Sequence, residues 1–217
     1  MTFIDIIAEL SAGAFHTILV TLVCIATGLT VGLTVAIIRR LGWRFAEPLI
    51  AAYLSLFRGV PMLVLLFIAF FGLPSLGIQV PPMAAMMMSL GLISGAYLSE
   101  VFRGALNAVE ADEVLAAEAM GMTRWQTLRY IELPQMLRAS VPGMMNEFTT
   151  VLKYSPFAYT VGIPEIMKQA TALVSTTMRG VEIYTAVGLM YFSIYWLLVL
   201  GIRAVDRYFS VPGFTHR

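Results

Sequence analysis

The chain has 217 residues, of which 59% are hydrophobic and only 12% charged, with a net charge of +1. A water-soluble domain carries about 25% charged residues, so a fully solvated globule is excluded and much of this surface must face a lipid bilayer. The near-zero charge, without a basic run, argues against a nucleic-acid partner, and the single cysteine, Cys24, excludes an intrachain disulfide.

In chain order, Met1 to Ser11 carries Asp5 and Glu9 where a cleavable leader needs positive charge, so no signal peptide is expected. Leu10 to Ile38 is free of acidic and basic residues and closes on Arg39 and Arg40, which predicts the first membrane span. Gly59 to Ser99 is also uncharged but too long for one crossing, and Gly72, Pro74, Gly77, Pro81 and Pro82 mark a turn within it. Two spans follow, about Ala46–Leu73 and Pro82–Leu106. The stretch from Asn107 to Pro134 is polar. Glu110, Asp112 and Glu113 favour a helix start, Gly121 a helix stop, and Thr123 with Gln126 has capping-box spacing for a second helix. Ala139 to Leu152, uncharged apart from Glu147, and the uncharged Ile183 to Ile202 give the fourth and fifth spans. None of these runs alternates with period two, so strands are a poor alternative.

Basic side chains set the orientation. With the N-terminus outside, Arg39, Arg40, Arg44, Arg58, Arg103, Arg124, Arg129, Arg138, Arg203, Arg207 and Arg217 fall on or near the cytoplasmic side, leaving Lys153, Lys168 and Arg179 outside. The expected topology is five spans, N-terminus out and C-terminus in, in one permease domain over 1–217 with a cytoplasmic loop at about 107–134. No internal repeat of the kind that builds many secondary transporters is detectable. Neither lysine sits in a phosphate-binding G-x-x-x-x-G-K-[ST] loop, so any energy input comes from a partner and the chain is not expected to be an enzyme. His16 and His216 lie at opposite ends of the chain and offer no catalytic constellation. No metal or other cofactor is expected.

Glu147 stands out. A rise of 1.5 Å per residue places it about 20 Å beyond Pro134, past the midpoint of a core about 30 Å thick. An acidic residue there costs about 2.5–3.5 kcal/mol and marks a substrate or partner site unless an arginine or interfacial water satisfies it. Asn146 beside it adds hydrogen-bonding capacity. Tyr97 and Glu100 share a face of the third span at i, i+3, although Glu100 has Arg103 as an alternative partner. Arg58 and Arg103 are expected to extend toward the cytoplasm. Met83, Met86, Met87, Met144 and Met145 are expected to pack.

On residue chemistry the polar loop reads either as an ordinary surface loop or as a docking element with small residues at Ala116, Ala117 and Ala119. The run Ala116-Ala117, Gly121 and Ile131-Glu132-Leu133-Pro134 resembles the EAA loop of binding-protein-dependent ABC importer permeases. Phe57-Arg58-Gly59-Val60-Pro61 resembles the family's R-G-T-P segment, and Ala96 to Gly104 its A-Y-x-x-E-x-x-R-G segment. Leu133-Pro134-Gln135, Pro142, Asn146, Leu152-Lys153 and Val161 to Glu165 follow in the order of the polar amino acid subfamily, so the resemblance covers essentially the whole chain.

The resemblance implies an all-α polytopic protein of the type I ABC importer permease (MetI-like) fold in a bacterial inner membrane. It implies a second permease, cytoplasmic ATP-binding subunits and a periplasmic substrate-binding protein as partners. It makes the loop the coupling helix, with Ala116, Ala117, Glu118 and Gly121 in the ATPase contact. A substrate pocket is implied around Asn146 and Glu147, for a polar amino acid with a cationic or amine group. Three departures stand out: Leu115 replaces the motif's opening glutamate, Asp112-Glu113 stands in place of the G-Q before it, and Tyr154 replaces an aspartate of the usual L-K-D-T-S. The relaxed loop favours a heterodimer with a second, regular permease over a homodimer. The alternative function is an ion-coupled carrier with Glu147 as its titrating group.

Overall fold

A computed structural model describes residues 2–209, with side chains described as far as Ala204, so the side chains of Arg207, His216 and Arg217 lie outside it. Every regular element among the described residues is helical. Helix α1 (Phe3–Arg40) opens on a capping box, in which Asp5 N donates to Thr2 Oγ1 and Thr2 N to the Asp5 carboxylate. At 38 residues it is about 57 Å long, well beyond the apolar core of a bilayer. Its hydroxyls are satisfied within the helix: Thr21, Thr27, Thr30 and Thr34 each donate to the carbonyl four residues back, as an apolar environment demands.

The expected second span is not one helix. It divides into α2 (Glu47–Gly59) and α3 (Met62–Leu76), bent by 107°. Pro61 has no N–H to continue the ladder and holds Val60 extended (φ −97°, ψ 133°), which ends α2 and redirects the chain. Helix α4 (Pro82–Asn107) begins on a proline, where the missing N–H costs nothing. Helices α1 and α4, together with α9 (Gly180–Phe209) over residues 180–204, are long and apolar enough to cross a membrane, and the bent pair α2–α3 makes a fourth candidate.

The polar loop forms a helical hairpin. Helix α5 (Ala111–Ala119) ends at Gly121, whose φ of +85° is a conformation that L side chains rarely adopt, and Met122 N closes the turn on Ala117 O. The predicted Thr123–Gln126 capping box starts α6 (124–139). This helix passes through a π turn at Leu128–Glu132 and runs, through Ser140, into α7 (Val141–Tyr154). The fourth expected span, Ala139–Leu152, is therefore the far half of a rod that starts in the loop, because Ser140 stays in a helical conformation.

Beyond a 3₁₀ segment, α8 (Ile166–Thr177) packs across α1 and α9. Glu165 caps it, accepting from Met167 N and Lys168 N (2.8 Å each) and from Tyr191 Oη (2.6 Å). The Val161 to Glu165 motif is thus structural, since its glutamate fastens α8 to α9. The core lies in three zones along α1. One joins α1 to α3, α4 and α7, one to α8 and α9, and one, at the arginine-rich end, to α4 and α6. Large apolar side chains such as Phe15, Leu22, Phe71, Phe192 and Leu197 stay exposed, as a lipid-facing surface requires. Cys24 is buried, its Sγ 3.6 Å from Met86 O, and Met86 is core, as expected of packing residues.

Candidate functional site

Bent helix α2–α3, α4 and α7 line an open cavity of about 420 Å3, within the range of small-molecule sites. The bend itself, Arg58-Gly59-Val60-Pro61, forms one wall; α4 contributes Leu90, Ile93 and Tyr97, and α7 contributes Asn146, Glu147, Thr150 and Tyr154. Two contacts set the walls. Tyr53 Oη of α2 donates to Leu92 O of α4 at 2.6 Å. Gly143 lets α7 close on α4, since a Cβ there would lie 2.5 Å from a Val101 methyl.

The structure brings together three of the four side chains expected at a substrate site: Tyr97, Asn146 and Glu147. Glu147 is 7% exposed, forms no ion pair among the described residues, and has the buried Ser94 hydroxyl as its polar neighbour. An arginine partner is thus not what satisfies it. The main-chain carbonyl of Asn146 accepts from both Thr149 and Thr150 (2.9 Å each), while its exposed amide lines the cavity.

Glu100 is not brought to the cavity. Its carboxylate is held by Arg39 of α1 (2.9 Å) and Arg103 (2.6 Å), and Arg39 also binds Glu47 (2.7 Å), a network tying α1, α2 and α4 together. Sequence reasoning missed Arg58. It lies 11 residues past Glu47, about 16 Å along α2, with its guanidinium 5.3 Å from the centre of the Tyr97 ring and no ion pair among the described residues. It lines the cavity that holds Glu147, and its charge also acts on Glu100 at the edge of the Arg39–Arg103 network. The signal lay in its neighbours: Gly59 and Pro61 mark a helix break, and a break inside a membrane is tolerated where it lines a cavity.

In the loop hairpin, Ala116, Glu118 and Gly121 are exposed, whereas Ala117 is 3% exposed and packs inside the hairpin. Leu115 and Met120 also face outward, 60% and 86% exposed. Glu113 is exposed, and the Gln135 side-chain amide of α6 donates to its carboxylate.

Residues 10–211 match the model of a family described as binding-protein-dependent transport system inner membrane component. A probable amino-acid permease protein, YxeN of Bacillus subtilis (strain 168), is 37% identical over 172 residues, covering 78% of this chain and 75% of its own. The glutamine transport system permease protein GlnP of Escherichia coli (strain K12) is 28% identical over 197 residues, 90% of each chain. Among solved structures, an amino acid ABC transporter with histidines superposes with a TM-score of 0.85 at 26% identity, covering 96% of this chain and 99% of that one. The matching fold is the MetI-like fold of type I importer permeases. The chain belongs to the family of binding-protein-dependent transport system inner membrane components, as an amino-acid ABC transporter permease.

Proposed function

We propose that the chain forms, with a second permease subunit, the translocation path for a polar amino acid bearing a cationic or amine group. Glu147 receives the positive group of the substrate and Arg58 its α-carboxylate, while Tyr97, Asn146 and Tyr154 shape the remaining walls. The observation that carries this reading is that two opposite charges, each costly within a membrane, line one cavity without pairing. A carboxylate and a guanidinium kept apart match a cargo with a carboxylate at one end and a side-chain cation at the other better than an apolar or anionic cargo. The similarity to a glutamine permease and to an amino acid transporter solved with histidines supports amino-acid cargo.

Energy comes from cytoplasmic ATP-binding subunits docked on the hairpin of α5 and α6, and cargo from an external binding protein. The protein sits in the inner membrane with its N-terminus outside. The second permease is a different chain carrying the regular loop motif, because Leu115 leaves this hairpin without the motif's opening carboxylate. Glu147→Gln tests the substrate assignment, since it keeps shape and hydrogen bonding but removes the charge. Uptake of cationic amino acids should fall at least tenfold at unchanged membrane levels, because the cation is then desolvated without its counter-charge. Equal uptake of cationic and neutral amino acids by variant and wild type would make Glu147 structural.

A further inference from the structure

We propose that Glu132 is a positioning residue that locks the loop hairpin to the end of α1, so that motion imposed on α5 reaches both walls of the cavity together. The inference rests on the reading of this hairpin as the ATPase-coupling element.

Glu132 is wholly buried, yet it is a carboxylate with two guanidinium partners from different elements. Arg40, the last residue of α1, donates to Oε1 through Nε at 2.9 Å and also through Nη2. Arg124, the first residue of α6, reaches Oε2 through Nη1 at 3.2 Å, and its Nη2 donates to the main-chain carbonyl of Arg40, also at 3.2 Å. Three points are knotted: the end of α1, the start of α6 and the end of the π turn. The π turn positions the carboxylate. Pro134 cannot donate to the helix ladder, and Leu133 N bonds to Leu128 O, five residues back.

Around the knot lie the buried apolar side chains Leu128 and Met136, so an apolar residue at 132 would suit the packing. A buried ion pair adds little stability over such a residue, and its best-attested use is to specify one arrangement. The arrangement specified here is mechanical. Helix α6 continues into α7 and so moves Glu147 directly. The knot supplies a second route, through Arg40 into α1, which packs along α4, the helix that carries Tyr97. With the knot broken, α5 would drive α7 alone, and the two walls of the cavity would no longer move as a unit.

The test is the full transporter reconstituted in vesicles with its ATPase, partner permease and binding protein, measuring uptake of labelled arginine, histidine and glutamine against ATP hydrolysed. Glu132→Gln removes the charge, and Arg40→Gln removes the guanidinium by which α1 holds Glu132 while Arg124 still neutralises it. Both should assemble and hydrolyse ATP but carry at least fivefold less amino acid per ATP than wild type. A purely structural role would lower the amount of assembled complex and leave that ratio unchanged. Should Glu132→Gln fail to assemble, Arg40→Gln decides alone. Ratios within twofold of wild type, or assembly failure of both variants, overturn the proposal. A wild-type complex with no nucleotide-dependent uptake would instead overturn the permease reading beneath it.

Discussion

Arg58 and Glu147 can be separated experimentally, because the proposal gives them different parts of the substrate. Every amino acid has an α-carboxylate, so Arg58→Gln should weaken uptake of cationic and neutral substrates alike, whereas Glu147→Gln should discriminate between them. A hydrogen bond to a charged group contributes about 1.5–3 kcal/mol, which corresponds to a loss in apparent affinity of roughly 10- to 100-fold. Concentration-dependent uptake measures it, and a defect confined to cationic substrates would remove Arg58 from the α-carboxylate role. Glu100 gives the opposite expectation. Its carboxylate is shared by Arg39 and Arg103 in a partly exposed network, where each pair contributes about 0–1 kcal/mol. Glu100→Gln should therefore leave the apparent KM within twofold of wild type while lowering the thermal midpoint of the detergent-solubilised protein. A large KM change with unaltered melting would contradict that assignment.

Among the helical elements, the hairpin of α5 and α6 depends on one backbone conformation. Gly121 holds φ at +85°, and a Cβ there meets no atom within 4 Å among the described residues, so a larger residue is opposed by backbone strain and by intrusion on a docked partner. Gly121→Trp should abolish ATP-driven uptake, either by preventing ATPase assembly or by uncoupling hydrolysis from transport. Co-purification of the ATPase separates the two, and a variant that assembles and transports normally would show that this hairpin is not the coupling element. Leu115→Glu should be tolerated, since Leu115 is 60% exposed.

Across the molecule, the hairpin, Arg39, Arg40, Arg103 and Arg124 gather at one end, while the turn at Gly77 lies between α3 and α4, far from them along the chain. A membrane sided by its arginines puts these two regions in different compartments. A cysteine replacing Gly77 should react with an impermeant thiol reagent from outside the cell, and one replacing Glu118 only from the cytoplasm. The buried Cys24 supplies little background. Reversed labelling would invert the orientation and with it the placement of the ATPase.

The membrane class, the helical hairpin with its caps, and the anomaly of Glu147 are properties of short sequence windows. Apolar run length, a glycine after a helix and a carboxylate in an uncharged stretch act on their immediate surroundings, so they are legible without any tertiary contact. Pairing is a different matter. Glu100 and Glu147 are both acidic residues in apolar runs, yet one meets Arg39 across 61 positions of chain and the other meets no ion partner among the described residues. Arg58 reads as a side chain that extends to water until the 107° bend sets it beside Tyr97. Ala117 looks like a docking residue until the hairpin buries it, and Glu132 has no special mark until Arg40 and Arg124 close on it. These outcomes depend on which helix faces meet and at what angle. Packing between segments distant in the chain decides that, and so it alone distinguishes a structural charge from one available to a substrate.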